Sequence, residues 1–217
     1  MFNNEFISTG NKELDQRLNG GIAKSSLFSL VGEMCLGKTE FMLNVIKHNK
    51  ELNKDFNVLY VDSDAMLDEK HLKELGIGNI DILGPNPHKV QLDLIQSSLN
   101  ANVYDLIVID SVNSLFAGLE VFDKSKANFA SAYMLSNWLA NDIMPIINSK
   151  DNKTSIVAIE HIMKINATDS VESFPIAVGV GKSIGHYALQ RLLLKKNESK
   201  YQVIKNRLGK DELDEVA

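Results

Sequence analysis

One segment constrains this chain more than any other: Gly32-Glu33-Met34-Cys35-Leu36-Gly37-Lys38-Thr39, which fits the pattern G-x-x-x-x-G-K-[ST]. A phosphate-binding loop of this kind lies between a strand and a helix. An apolar run at 27–31 precedes the segment, and a run with helical periodicity at 38–53 follows it. The sequence therefore predicts strand, loop and helix, with a nucleoside triphosphate as the ligand, and a chance Gly-Lys-Thr at a helix start is the alternative.

Each part of this loop has an expected chemical role. Its glycines let backbone N–H groups face the phosphates, and the following helix directs its positive end toward them. Lys38 is expected to reach the β- and γ-phosphates of ATP, and the Thr39 hydroxyl to bind Mg²⁺. The expected nucleotide contacts are Gly32, Glu33, Met34, Cys35, Leu36, Gly37, Lys38, Thr39 and Glu40.

Short apolar runs alternate with helix-like segments along the rest of the chain. The runs are Leu27–Val31, Val58–Val61, Ile80–Leu83, Leu106–Ile109 and Ile156–Ile159, and the helix-like segments lie near 38–53, 68–75, 87–101 and 126–149. This alternation predicts an α/β fold with a mostly parallel central sheet flanked by helices. Segments 189–195 and 201–205 flank a polar turn and predict a β-hairpin that extends the sheet. Pro145 is expected to end or kink the last long helix.

Length and composition limit the classes of protein. The 217 residues favour a single domain spanning 1–217, with a lead-in over about 1–26 and an acidic tail at 211–217. No apolar run approaches the ~20 residues of a membrane span, and no signal peptide is evident, so a cytoplasmic protein is expected. The single cysteine, Cys35, excludes an internal disulfide. With a net charge of −5, any nucleic acid must be held by a local basic patch.

Two further apolar strands end in acids. Asp110 closes the run 106–109, and we expect its carboxylate beside Thr39, where it would hold Mg²⁺ or its water shell; an aspartate that caps the next helix is the alternative. Asp62 and Asp64 follow the run 58–61. Asp64 is expected to orient the attacking water while Asp62 stays structural, although spacing alone does not separate Asp62, Asp64 and Asp68.

The order of these motifs resembles the RecA/RadA family of strand-exchange recombinases. The segment from Ile7 to Asp15, then Gly20-Gly21-Ile22 and the phosphate loop, is similar to the family's "STG…LD…GGGI…GE…GKT". The resemblance continues over roughly residues 7 to 209: Asp62-Ser63-Asp64 resembles the D-x-E motif, Ile109-Asp110-Ser111 the second acidic strand, Ile184 to Leu192 the "IIAHAxxxRL" stretch, and Lys205-Asn206-Arg207 the basic K-N-[KR] strand. It implies a RecA-like ATPase core with ATP between neighbouring subunits of a homo-oligomer, a filament rather than a ring.

The resemblance also implies roles for residues beyond the phosphate loop. Lys205 and Arg207 would deliver cations to a neighbour's γ-phosphate, whereas a solvent-facing basic strand is the alternative. His161 would sense the γ-phosphate at the end of the fifth strand, whereas a histidine satisfied by ordinary hydrogen bonds is the alternative. Single-stranded DNA would meet the irregular segments 111–125 and 162–182. Its expected contacts are Lys124, Lys126, Lys164, Phe174 and Lys182.

Three departures from the family pattern refine the interpretation. Asp64 is shorter than the family's glutamate, which predicts slow hydrolysis or an added water; Val180-Gly181 replaces Gly-Gly; and the family's extra terminal domains are expected to be missing. The chain thus looks like a phage-encoded recombinase core of the UvsX or single-strand-annealing type, acting in the host cytoplasm. The predicted function is ATP-dependent pairing or annealing of DNA strands. A RadB-like accessory ATPase, a DnaB-type hexameric helicase motor and a scaffold with an inert Asp64 stay open as alternatives.

Overall fold

The structure is a computed structural model, and it describes residues 6–116, 127–162, 180–195, 201–208 and 215–216. The strands are β1 Phe6–Ile7, β2 Ile22–Ala23, β3 Leu27–Gly32, β4 Val58–Asp62, β5 Asp81–Leu83, β6 Leu106–Asp110, β7 Ser155–His161, β8 Gln190–Leu194, β9 Tyr201–Asn206 and β10 Glu215–Val216. The helices are α1 Lys12–Arg17, α2 Lys38–Leu52, α3 Glu69–Glu74, α4 His88–Ala101, α5 Val112–Leu115, α6 Ala127–Trp138, α7 Met144–Ile147 and α8 Val180–Tyr187.

Eight of these strands form one sheet in the order β10-β9-β8-β3-β7-β6-β4-β5. The pairs from β8 across to β5 are parallel, whereas β9 pairs antiparallel with both β8 and β10. This confirms the predicted α/β fold, with its mostly parallel sheet and its C-terminal hairpin. Strands β1 and β2 form a separate two-stranded sheet.

Apolar residues cover both faces of the sheet, as its parallel strands require. On one face, Phe28 and Leu30 of β3 pack in a cluster with Met42 and Ile46 of α2. The other face carries a second buried cluster that includes Ile107 of β6. Because side chains alternate between the two faces along a strand, the register of neighbouring strands decides on which face of the sheet their last side chains lie. The register pairs Gly32 with His161 and Asp62 with Asp110 at the carboxyl edge of the sheet.

The Ser-Thr-Gly segment near the start has a structural role. Asp15 of α1 accepts hydrogen bonds from the Ser8 hydroxyl at 2.6 Å and from both the backbone N–H and the hydroxyl of Thr9, at 2.8 and 2.6 Å. The Asn49 amide of α2 donates to the Ser8 carbonyl at 2.7 Å. These bonds attach the first elements of the chain to the helix that follows the phosphate loop.

Of the two outcomes expected at Pro145, an end or a kink of the helix, the structure excludes the end. A π-helical turn at Leu139–Ile143 follows α6, and α7 continues to Ile147 with Pro145 in its first turn. The Met144 N–H reaches back to the Leu139 carbonyl, five residues earlier. Proline has no N–H to donate to the helix. The widened π turn comes just before Pro145, where a regular α-helix would need that N–H as a donor.

Other short elements lie in segments expected to be irregular. The lead-in contains β1, α1 and β2, and α5 and the start of α8 fall within the two segments expected to lack periodicity. Part of the acidic tail belongs to the sheet, because Glu215 pairs with Gln202 of β9. Among the described residues, no helix combines the length and the apolar character that crossing a bilayer requires.

Candidate nucleotide site

The phosphate loop leads from β3 directly into α2. Gly37 caps the N-terminus of this helix with a left-handed backbone, φ 81°, and, because glycine has no side chain, it makes no side-chain hydrogen bond to the helix's first N–H groups. A Cβ atom at Gly32 would lie 3.2 Å from the Leu194 carbonyl oxygen, so the chain passes close to β8 there. The first turn of α2 therefore presents backbone N–H groups and the positive end of the helix dipole to an anion.

Lys38 is buried at the start of α2, with 4% of its surface exposed. Its Nζ donates to the carbonyl oxygens of Gly32 at 2.9 Å and Glu33 at 2.6 Å, so the side chain folds back over the loop. Burial lowers the pKa of Lys38, against the opposing charges of Asp110 and Cys35. The contacts to Nζ are carbonyl dipoles, and a phosphate group would supply the full negative charge that a buried ammonium favours.

Thr39, Asp110 and Tyr60 meet beside the loop. The Thr39 hydroxyl donates to Asp110 Oδ2 at 2.6 Å, and the Tyr60 hydroxyl donates to the same oxygen at 2.7 Å. Burial, followed by the charge of Asp110, raises the pKa of Tyr60 well above its ordinary value, which keeps the phenol a neutral donor. The pairing of Thr39 with Asp110 was expected from the sequence, but Tyr60 was not. A tyrosine inside a buried strand needs a polar partner, and that requirement was the available signal.

The three acids that follow β4 have different partners. Asp62 is buried and accepts from the N–H groups of Met66 at 3.0 Å and Leu67 at 2.8 Å, so it holds the turn after the strand. Asp68 caps α3. Asp64 is exposed, and among the described residues it accepts one long hydrogen bond, 3.4 Å, from the hydroxyl of Ser111, which directly follows β6. The geometry thus separates three acids that spacing alone leaves equivalent.

His161 ends β7 beside the loop, opposite Gly32. Asn113 of α5 holds its backbone: the His161 N–H donates to Asn113 Oδ1 at 2.8 Å, and the Asn113 amide donates to the His161 carbonyl at 3.4 Å. Burial and then the charge of Lys38 lower the pKa of His161, against the opposing effects of Asp110 and Asp64. Within the described part of the chain, its Nδ1 is buried and makes no hydrogen bond. Asn113 carries no sequence signal that would have identified it.

The structure does not bring Lys205 and Arg207 to Lys38 of the same subunit. Lys205 Nζ donates to the carbonyls of Gly185 at 2.6 Å and His186 at 3.2 Å, and Arg207 Nη2 donates to the His186 carbonyl at 3.2 Å. Both cations therefore cap the C-terminal end of α8, where the helix dipole is negative. Burial and the neighbouring charges of Arg207 and Arg191 lower the pKa of Lys205 to about 8.

The expected DNA contacts fall largely beyond what the structure describes. Lys124, Lys126, Lys164 and Phe174 lie outside the described residues, and Lys182 falls within α8. No group of three His, Cys, Asp or Glu side chains in the described ranges forms a ready cage for a metal ion. Mg²⁺ at nucleotide sites is bound by one or two protein groups together with phosphate oxygens and waters, and Thr39 with Asp110 fits that pattern.

Comparison with known proteins gives one consistent answer. The sequence profile of the RecA N-terminal domain matches residues 2–212. Protein RecA of Leptospira meyeri is 28% identical over 197 residues, covering 89% of this chain and 49% of that protein. Protein RecA of Campylobacter jejuni subsp. doylei is 28% identical over 221 aligned positions, covering 94% and 62% respectively. Protein RecA of Malacoplasma penetrans is 28% identical over 166 residues, covering 74% and 49%. The chain thus spans about half to three-fifths of the length of these relatives.

Proposed function

This chain belongs to the family of RecA N-terminal domains, and from that premise we propose that it is an ATP-dependent recombinase that assembles on single-stranded DNA and promotes homologous pairing or annealing. The observation that carries the proposal is the contact between Thr39 and Asp110, 2.6 Å long, beside a buried Lys38 at the open N-terminus of α2. A phosphate loop, its lysine and a strand-end acid in this arrangement bind a nucleoside triphosphate.

The residues of the loop divide the binding of ATP between them. The N–H groups at the start of α2 and Lys38 would bind the phosphates, and Thr39 with Asp110 would hold Mg²⁺. Mg²⁺, when bound, neutralises charge that develops on the phosphates. Tyr60 fixes the orientation of Asp110 through its hydrogen bond. These roles account for why the acid lies at the end of β6 rather than within the strand.

Hydrolysis would need groups outside the loop. Asp64 is exposed at the same edge of the sheet as Asp110 and would orient the attacking water. His161, whose Nδ1 is buried and makes no hydrogen bond to any residue that the structure describes, would respond to the γ-phosphate. Lys205 and Arg207 would act on the nucleotide of a neighbouring subunit in a homo-oligomer. In support, both side chains lie apart from the loop of their own subunit, on the C-terminal end of α8.

Electron microscopy of the protein with ATP and single-stranded DNA tests the proposal directly. Filaments on DNA that require ATP are expected, and Lys38→Ala should form none. Rings would favour the hexameric helicase motor. Monomers that bind ATP and ignore DNA would favour the accessory ATPase, and either result would overturn the recombinase assignment.

The basic residues of the two loop segments provide a second test. Replacing Lys124, Lys126, Lys164 and Lys182 by alanine should weaken ATP-dependent DNA binding and reduce its salt dependence by about 0.7 log–log unit for each DNA phosphate that is no longer bound. A matched control replaces four exposed lysines elsewhere: Lys12, Lys54, Lys89 and Lys153. An equal change in slope for both sets would show that overall charge, and not the loop segments, binds the DNA.

A further inference from the structure

A buried ion pair lies on the sheet face opposite the phosphate loop. Glu160 of β7 is 1% exposed, and it accepts from Arg191 Nη2 of β8 at 3.3 and 3.4 Å. Ser29 of β3, the strand between them, donates its hydroxyl to Glu160 and accepts from Arg191 Nε at 3.1 Å. Burial raises the pKa of Glu160, and Arg191 and Ser29 oppose that effect. The residues assigned to the binding of ATP and Mg²⁺ do not include any member of this cluster.

The Arg191 side chain lies directly against the last turn of α8. A Cβ atom built at Gly185 would be only 2.6 Å from Arg191 Nη1. The same turn is also held by Lys205 and Arg207, which donate to the carbonyls of Gly185 and His186. The end of α8 thus contacts both the ion pair and the basic strand.

Glu160 also has a direct connection to the nucleotide site. It precedes His161 in β7, and successive side chains of a strand point to opposite faces. His161 therefore lies on the phosphate-loop face, near the charge of Lys38, while Glu160 lies on the face of Arg191. A displacement of the end of β7 moves both side chains at once.

Charge links the ion pair to the basic strand as well. Arg191 is the register partner of Lys205 across β8 and β9. Like charges directly opposite each other in a sheet repel, and Glu160 compensates Arg191 as long as the two remain paired. If the carboxylate moved away, the charge of Arg191 would no longer be compensated. It would then disfavour the protonated form of Lys205, which is the form that donates to the α8 carbonyls.

We propose that Glu160 and Arg191 are positioning residues that couple the nucleotide site to α8 and so set whether Lys205 and Arg207 stay bound to the α8 carbonyls. This rests on the proposed function, since it assigns a consequence to ATP binding. With the pair in place, the two cations are held within their own subunit. When a nucleotide displaces the end of β7, the pair loosens, α8 shifts, and the cations are released toward another subunit's nucleotide.

Gly185→Ala tests this coupling without changing any charge. The added methyl group would displace the guanidinium from Glu160, because the tip of a long side chain yields more easily than backbone. Gly84→Ala is the control, since a Cβ there meets nothing within 4 Å. In the parent protein, ATP should change the hydrogen-exchange rates of amides 181–187 by about fivefold or more, the usual lower end of an allosteric coupling. In Gly185→Ala that response should be lost, kcat should change, and the KM for ATP should stay within about twofold of the parent.

Arg191→Lys and Arg191→Met provide a second test that remains available if Gly185→Ala fails to fold. Lysine keeps the charge opposite Glu160 and should preserve the response of α8 to ATP, whereas methionine should abolish it. Two outcomes would show that the coupling is absent, provided that ATP binds: the amides of α8 respond equally in the parent and in all variants, or they respond in none of these proteins. In both cases the proposed function still stands. If the parent does not bind ATP at all, the proposed function itself fails.

Discussion

Asp110 receives two hydrogen bonds on a single carboxylate oxygen, one from Thr39 and one from Tyr60. A carboxylate held this way has a fixed orientation before any ligand arrives, and such pre-organisation reduces the free-energy cost of binding a metal ion. Tyr60 adds to this site a hydrogen bond to Asp110 that the phosphate loop itself does not provide. Its position inside β4 makes it a rigid support.

Asp64→Asn tests the carboxylate at the end of β4. We expect ATP affinity to be retained, because Asp64 is exposed and outside the phosphate loop, and turnover to fall by a factor on the order of 10² or more, because an amide is not a base. Single-turnover hydrolysis and nucleotide titration measure the two quantities separately. Asp62→Asn is the comparison: each carboxylate oxygen accepts one backbone N–H group, an amide keeps only one acceptor oxygen, and the variant should therefore lower the free energy of unfolding instead. Parallel losses of affinity and turnover in Asp64→Asn would instead indicate a metal or structural role.

Lys205 should lose its proton at an unusually low pH. Burial and its cationic neighbours lower its pKa from the ordinary 10.5 to about 8. In ¹³C-lysine-labelled protein, one Cε resonance that disappears from the spectrum of Lys205→Arg should titrate with a midpoint near 8. Between pH 8 and pH 10.5 the unfolded chain holds a proton that the folded chain has lost. The contribution of Lys205 to the free energy of unfolding therefore rises with pH across that range. A midpoint near the ordinary value would show that Lys205 is solvated rather than placed on α8.

At this scale, the sequence predicts the residues that its motifs mark directly. The spacing of the phosphate loop places Lys38 and Thr39, and Asp110 lies beside Thr39 as expected, because it ends an apolar parallel strand and such strands end at the same edge of the sheet. Asn113 and the pair of Glu160 with Arg191 carry no such mark, and for Tyr60 the sequence signals only that a buried tyrosine needs a polar partner, not which one. All of these contacts depend on which strands are neighbours. That order is a property of the whole sheet.

Among the elements, the phosphate loop offers a direct probe of occupancy. Cys35 is the single cysteine of the chain, and it is exposed within the loop. We expect ATP with Mg²⁺ to slow the alkylation of Cys35, because a nucleotide bound over the loop would cover the thiol. Mass spectrometry against time measures the rate. In Lys38→Ala the rate should not respond to ATP, and an equal protection in both proteins would show that Lys38 is not needed to hold the nucleotide over the loop.

The boundaries of the elements were predicted well where the apolar pattern is strong and poorly where it is weak. Helix α2 and strand β3 lie within a residue or so of their expected limits. The start of helix α8 lies in a segment expected to lack periodicity and strand β10 lies in the acidic tail, and their formation depends on tertiary contacts, such as the pairing of Glu215 with Gln202. Pro145 was expected to end or kink the helix; it does not end it, and packing of Leu139 and Ile143 in the core maintains the helix through a π turn.

For the whole molecule, the arrangement of ATP between subunits predicts complementation. Lys38→Ala and Arg207→Ala should each be inactive alone. The first lacks the lysine of its own phosphate loop, and the second lacks the cation that acts on the neighbouring subunit's nucleotide. A mixture should recover part of the ATPase activity, because one kind of interface then has an intact loop facing an intact Arg207. Turnover measured across mixing ratios gives the result, with Arg17→Ala as a control for the loss of an arginine elsewhere. No recovery in a mixture shown to co-assemble would place Arg207 outside the neighbour's site.

The position of β3 has a consequence for how the chain acquires its structure. Its hydrogen-bonding partners are β7 and β8, so that Leu27 pairs with Ile156 and Phe28 with Gln190. During synthesis from the N-terminus, both edges of this apolar strand stay bare until most of the polypeptide has left the ribosome. Pairings so distant in sequence make folding slow, and unpaired edges invite aggregation meanwhile. A nascent chain stalled before β7 should therefore depend on chaperones, even though it already carries the complete phosphate loop.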